Sequence, residues 1–360
     1  MAYLIFSLSL LLVYLGLALA LHVQFGMLGV ANFGVVGFWG LGMYAMGILQ
    51  VQLGMSFVDA IFLVSILSLA VSWLMGRLIL RLDPQATLCA TLAFATIVAL
   101  LIVTEKWMTM GVVGLGTIRY PFRIGAGKEV LYFAFLLAVV IGLQILVLRL
   151  HKSPTGRLLR AIRDNEELCA SLGKNTFQIK MFWFVLASVV MCLLGALSAP
   201  LNQFLTPNMI VPSVTFTVWI ALVLGGKEHS LGAMVGVFVT FGVFDILIET
   251  YAPVSPELAV VVPNMKLFLY GLLLMLVLIF RPTGFLAPTT PPEEVWREVQ
   301  KAGKAMAAGG AALFESGKAM AKRRQWGKGS NPPTEEPVAA ASGAVLTADQ
   351  SSEPEQEGKP

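Results

Sequence analysis

An all-α, polytopic membrane protein with about nine transmembrane helices is the fold class this sequence predicts, and three observations carry it. Of the 360 residues, 57% are hydrophobic and 13% charged, whereas a soluble domain carries about 25% charged residues. Mean hydropathy is +0.79. The apolar residues also fall into runs close to the roughly 20 residues a helix needs to cross hydrocarbon.

The runs are 4–21, 27–50, 57–80, 87–104, 129–149, 177–199, 213–225, 231–250 and 264–280. The first follows no basic segment and precedes no small-residue cleavage site, so a retained span is expected rather than a signal peptide. The second carries Gly34, Gly37, Gly40, Gly42 and Gly47. Small residues at spacings of three and four let helices approach closely. Two readings stand for this span: tight helix packing, or a wall that lines or shapes a substrate path. Asn32 within it is expected to hydrogen-bond a neighbouring helix. The run 213–225 is short, which implies tilt, a break or irregular structure beside it. Irregular backbone is tolerated at membrane depth only where protein or a water path covers its polar groups.

Lysine and arginine set the orientation. Arg149, Lys152, Arg157, Arg160, Arg163, Lys174 and Lys180 cluster around 149–180. Arg77 and Arg81 end the third span, Lys227 sits in the 225–230 turn, and lysines follow Arg281. Alternating spans put all of these on one side, which is therefore expected to be cytoplasmic, with the N-terminus outside. Lys106, Arg119, Arg123 and Lys128 in the loop 105–128 run against this pattern.

Several function classes lack their residues. Asp245 and Glu249 are the acids found within a span, and with Tyr251 and Pro253 next they are expected at the outer interface rather than in an ion relay. Asp59 and Asp83 lie at span ends. Cys89, Cys169 and Cys192 form no C-x-x-C pair, and His22, His151 and His229 are far apart in sequence. No zinc or haem site is predicted, no cofactor and no nucleic-acid partner are expected, and no catalytic constellation of an intramembrane enzyme is visible. No G-x-x-x-x-G-K-[ST] run occurs, so the chain has no P-loop of its own.

Three regions are expected: a membrane domain over 1–288, a basic, weakly amphipathic cytoplasmic segment over 289–326, and a disordered tail over 327–360. In the middle region Trp296, Val299, Gly303, Met306, Gly310, Leu313, Gly317 and Met320 recur at helical spacing, but three glycines make that helix marginal in water. Lys301, Lys304, Lys318, Lys322, Arg323 and Arg324 suit anionic lipid. A surface helix and a partly ordered basic tail both remain open. Residues 327–360 are rich in Ser, Pro, Glu, Gln and Ala, the composition of disorder.

The stretch 151–175, HKSPTGRLLRAIRDNEELCASLGKN, is the most informative part of the chain. Pro154 and Gly156 punctuate the end of the fifth span. A helix is expected from Arg157, with Leu159, Ile162 and Leu168 as apolar members, and Gly173 with Asn175 as its stop. The positive-inside rule asks only for Lys and Arg. It does not ask for a punctuated amphipathic helix holding Asp164, Asn165, Glu166 and Glu167. A docking surface for a soluble partner is therefore predicted.

The run Ser153-Pro154-Thr155-Gly156-Arg157, then Arg160-Ala161-Ile162-Arg163-Asp164-Asn165-Glu166 and Leu172-Gly173, resembles the cytoplasmic loop of branched-chain amino acid ABC transporter permeases of the LivM type. Thr91-Leu92-Ala93-Phe94 with Ile97-Val98, Phe184-Val185-Leu186-Ala187-Ser188 with Gly195-Ala196-Leu197, Val223-Leu224-Gly225-Gly226 with Leu231-Gly232-Ala233 and Gly236, and Arg281-Pro282-Thr283-Gly284-Phe285-Leu286 resemble further motifs of that family. The likeness runs from about residue 15 to 288. It departs at Asn32 and Val35, where the family often has serine and histidine, and at 109–115.

The resemblance implies the transmembrane permease subunit of a binding-protein-dependent ABC importer in the bacterial inner membrane. That subunit is not an enzyme and works by alternating access. It implies a second, LivH-like permease subunit, two ATPase subunits, a periplasmic solute-binding protein and the lipid membrane as partners. The residues Pro154, Gly156, Arg157, Arg160, Ala161, Ile162, Arg163, Asp164, Asn165, Glu166, Leu172 and Gly173 are expected to form the coupling helix and loop toward the ATPase. Asn32, Gly34, Gly37, Gly40 and Thr91 are expected along the translocation path. The solute implied is a branched-chain or related small amino acid, with urea or short-chain amides as the alternative. A stand-alone secondary transporter is the rival from another class.

Overall fold

In the computed structural model, residues 2–116, 118, 120, 121, 127–229 and 231–245 are described, together with 268, 269, 271, 272, 275, 279 and 285. The chain divides into two units, Met1–Thr290 and Pro291–Pro360, and the described residues belong to the first. The expected segments 289–326 and 327–360, Glu249 and the Asp245 side chain lie outside them.

Helix α1 spans Ala2–Leu21 and continues as a π-helical stretch, His22–Met27. Then come α2 (Val35–Val51), α3 (Phe57–Ile79), α4 (Pro84–Thr104) and the single turn α5 (Lys106–Thr109). Next are α6 (Lys128–Lys152), α7 (Pro154–Asp164), α8 (Glu166–Ser171) and α9 (Thr176–Asn202). Last are α10 (Pro212–Gly225) and α11 (Gly232–Val237), the latter passing into a π-helical stretch, Phe238–Asp245. Among the described residues six helices are long and apolar enough to cross a membrane, and Val35–Val51 and Gly232–Gly242 are shorter apolar helices. The expected ninth span, 264–280, lies largely outside the described residues.

Local chemistry explains the boundaries. Ser56 caps α3, its hydroxyl accepting from the Asp59 N–H. Pro84 and Pro212 sit in the first turns of α4 and α10, where a missing N–H costs nothing. The second span departs from expectation. It begins at Val35 rather than near 27, because residues 28–34 leave the helix at Gly29 (φ +79) and stay irregular to Gly34.

Helix α9 is the centre of the bundle: 78% of its most apolar window is buried, against 22% for α3 and α6. It packs against α1, α2 and α3, while α6 covers α1, and α10 pairs with α11. The α2–α9 approach is close enough to exclude side chains. A Cβ on Gly42 would lie 1.8 Å from the Cys192 carbonyl oxygen, and one on Gly195 would lie 1.9 Å from that of Trp39. This is the small-residue packing that lets membrane helices gain dispersion energy without a hydrophobic driving force. The outer faces are apolar instead of polar: Phe62, Ile66, Ile97, Leu100 and Ile141 are exposed, as lipid-facing positions must be.

The bundle has two ends. Residues near 26, 163 and 228 meet at one, through Arg163, Gly26 and Glu228. At the other, Gln52 donates to the Met108 carbonyl and Leu115 bridges Leu205.

Candidate functional site

The charged stretch folds as two short helices against the first of these ends. The Ser153 hydroxyl accepts from the Gly156 N–H at 3.1 Å and starts α7, with Pro154 in the first turn. Gly156 is needed for close approach, since a Cβ there would lie 2.0 Å from the Leu150 carbonyl oxygen. One helix from Arg157 to Gly173 was the expectation. The structure instead starts it at Pro154 and breaks it at Asn165 (φ −155, ψ 100). The cause is the Asn165 side chain, whose Oδ1 accepts from the Leu168 N–H at 2.9 Å and caps α8. Gly173 ends the pair in the left-handed region (φ +80).

The apolar residues of this stretch divide between two faces. Leu159 and Ile162 are fully buried against the bundle. Leu168 and Leu172 point out, 57% and 73% exposed. Arg157, Ala161, Asp164, Asn165, Glu166 and Gly173 are exposed beside them. Ile162 is thus an anchor to the membrane domain, and the outward apolar contacts are Leu168 and Leu172.

Two arginines also face inward. Arg163 Nη1 donates to the Gly26 carbonyl oxygen at 2.6 Å, its Nε donates to Asp164 at 3.0 Å, and its Nη2 lies 3.8 Å from Glu228. Its aliphatic stem lies over Gly29, where a Cβ would come within 2.7 Å of Arg163 Cγ. Arg160 donates to the His151 carbonyl oxygen at 3.1 Å and lies 2.9 Å from the ring Nε2. Lys180 pairs with Glu166. The loop is therefore fastened on one face and free on the other. That free face, exposed leucines among charged residues at a bundle end, suits a soluble protein partner.

The other expected residues meet where the second span is broken. Asn32 is fully buried. Its Nδ2 donates to Gln24 Oε1 at 2.9 Å, and its Oδ1 accepts from the Gly34 N–H at 2.7 Å. Gln24 Nε2 in turn donates to Ser188 Oγ at 2.9 Å and to the Phe184 carbonyl oxygen at 3.0 Å. The Thr91 hydroxyl accepts from the Phe33 N–H at 3.0 Å, and Thr215 accepts from the Val36 N–H at 3.1 Å. Trp219 Nε1 donates to the Asn32 carbonyl oxygen at 2.9 Å. The Phe33 and Val36 amides at the start of α2 are satisfied by side chains of α4 and α10, and that of Gly34 by Asn32, as irregular backbone in lipid requires.

The structure thus brings Asn32, Gly34 and Thr91 together. Gly37 packs against Ala95 and Phe94 of α4, and Gly40 against the Ile210 side chain. These glycines face neighbours within the chain, which is the tight-packing arrangement. Val35, a further departure from the family pattern, is fully buried.

Sequence reasoning missed Gln24, Ser188, Thr215, Trp219 and Glu228. Their signal was present: a polar side chain in an apolar run must find a partner. It does not say which partner.

Comparison with known proteins agrees with this arrangement. Residues 3–278 match the family described as branched-chain amino acid transport system / permease component. The chain is 28% identical, over 306 residues, to the high-affinity branched-chain amino acid transport system permease protein LivM of Salmonella typhimurium, covering 78% of this chain and 69% of that one. It is 28% identical over 309 residues to the protein of the same name from Escherichia coli, covering 79% and 70%. It is 27% identical over 175 residues to a probable branched-chain amino acid transport permease protein LivM of Methanocaldococcus jannaschii, covering 45% and 47%. No solved structure matches significantly. With that match over most of its length, an all-helical membrane bundle and a fastened amphipathic loop, the chain belongs to the family of branched-chain amino acid transport system permease components.

Proposed function

We propose that this chain is the LivM-type permease subunit of an ATP-driven importer, moving branched-chain or related small amino acids across the bacterial inner membrane. The observation that supports it most is the two-faced loop: Leu159, Ile162 and Arg163 hold it to the bundle, while Leu168 and Leu172 stand free. The lysines and arginines around this loop argue for a cytoplasmic location, with the C-terminus on the same side. Two ATPase subunits supply the hydrolysis, and the free face of α7 and α8 receives one of them. A second, LivH-like permease completes the pathway, and a periplasmic binding protein delivers solute to the opposite end.

Coupling passes from α7 through Arg163 to the Gly26 carbonyl, then along the π-helical end of the first span to Gln24 and Asn32. Such π-bulges are frequent at functional sites. The start of α2 is then the joint that changes during alternating access. Asn32, Gly34 and Thr91 border the path because they border this joint, while Gly37 and Gly40 pack α2 against Phe94, Ala95 and Ile210 beside it. The 28% identical relatives are named for branched-chain amino acids, so urea and short-chain amides are not favoured.

The test is purification with the subunits encoded beside this gene, reconstitution, and ATP hydrolysis measured over branched-chain amino acids, amides and urea. Stimulation by leucine, isoleucine or valine is the expected result. Solute transport by the chain alone, without ATP, would instead support a secondary transporter.

A further inference from the structure

We propose that the groove between the ends of α3 and α9 is a binding site for one anionic phospholipid. The groove encloses about 570 Å³. Its mouth is polar, formed by Arg77, Asn175 and Gln178, and its floor is apolar, formed by Leu69, Val185 and Val189. Arg77 Cζ lies 5.7 Å from the centroid of the Trp73 ring, and Trp73 also lines the groove. Arg81 Cζ lies 5.6 Å from the ring of Phe177, a further wall residue. Neither arginine joins an ion pair among the described residues, and no acidic side chain lines the groove.

The occupant follows from charge and length. Two guanidiniums with no ion-pair partner among the described residues, at a bundle end and flanked by an interfacial tryptophan, complement a phosphodiester. The apolar floor runs from Leu69 to Arg77 on α3, about 12 Å by helical rise, and from Gln178 to Val189 on α9, about 16 Å. Half the hydrocarbon thickness is about 15 Å. One acyl chain of one leaflet therefore fits the floor while its phosphate sits at Arg77. An apolar transmembrane helix from another subunit would fill the floor but bring no counter-charge to the two cations. A soluble phosphate would satisfy the cations but leave the floor empty. The cationic mouth lies at the same bundle end as α7, so the lipid contacts the base of α9 directly after the docking loop. The inference rests on the chain spanning a membrane, and not on the importer reading.

Native mass spectrometry of the purified full-length chain tests it, using phosphatidylglycerol and phosphatidylcholine with identical acyl chains. Wild type is expected to retain phosphatidylglycerol in preference. Arg77→Gln should retain it about fivefold less, the factor one membrane-surface cation is worth, with phosphatidylcholine unchanged. Leu69 is 55% exposed, so Leu69→Trp narrows the floor without entering the core and should reduce both lipids. Equal phosphatidylglycerol retention in wild type and an Arg77→Gln, Arg81→Gln double variant would overturn the proposal. Displacement of the lipid by glycerophosphate at equal concentration would do so too. A photo-crosslinker at Val189 should capture lipid in membranes, and capture of a protein chain would make the groove a subunit interface instead.

Discussion

Arg163 donates to the backbone carbonyl of Gly26 at 2.6 Å, joining the loop between the fifth and sixth spans to the end of the first. The contact depends on the π-helical stretch His22–Met27, which ends here and presents that carbonyl to a cation. A guanidinium at a helix C-terminus is favoured by the dipole as well as by the hydrogen bond. The same residue contacts Glu228 in the turn after α10, so one side chain gathers three segments distant in sequence.

Arg163→Ala removes these contacts and leaves the free face of α7 and α8 intact. A hydrogen bond to a charged group contributes about 1.5–3 kcal/mol. The variant should insert in the membrane and still co-purify with an ATPase, while solute uptake falls severalfold. Arg163→Lys should restore only part of it, because an ammonium does not reach two acceptors as a planar fork does. Paired uptake and co-purification assays check this.

Asn32→Leu leaves the Gln24 Oε1 and the Gly34 N–H without these partners in the membrane interior. Each buried polar group left unsatisfied costs about 1–3 kcal/mol. The melting temperature of the purified protein should drop, and Gln24→Leu should drop it similarly. The double variant should lose less than the sum, since both remove one network.

Gly195→Ala forces a Cβ to within 1.9 Å of the Trp39 carbonyl oxygen, so α2 and α9 must separate. Folded yield should fall sharply. Gly142→Ala is the control: nothing lies within 4 Å of its added Cβ, and Gly142 faces outward on α6. Equal monodisperse yields for the two variants, read by fluorescence-detected gel filtration, would contradict the packing assignment.

The six long spans among the described residues were legible because hydrocarbon imposes a length and a composition that few other structures share. The ends of the loop were legible because Pro154, Gly156 and Gly173 are local signals whose physics needs no distant partner, but the cap at Ser153 and the break at Asn165 were not read. The start of α2 was not. Leu28, Val30, Ala31 and Phe33 read as membrane helix, and the conformation of Gly29 and the bonding of Asn32 decide otherwise. The direction of Ile162 was half legible: its helix is amphipathic, but which of two apolar surfaces it faces depends on the bundle beneath. The partners of Gln24, 160 residues or more away at Phe184 and Ser188, are set by packing alone. Gly37 and Gly40 fit both close packing and path lining in sequence, with packing the readier reading, and their neighbours on α4 and at Ile210 supply the packing contacts.

The central claim is that the outward face of residues 157–173 docks an ATPase that powers transport. The direct measurement is co-purification of the ATPase subunit with Leu168→Asp, Leu172→Asp double-variant permease, alongside solute-stimulated ATP hydrolysis in proteoliposomes. Both leucines are exposed, so the variant should fold and insert as wild type does. The account predicts that the ATPase no longer co-purifies and that stimulated hydrolysis and uptake are lost together. A double variant that keeps the ATPase bound and transports at the wild-type rate would contradict it.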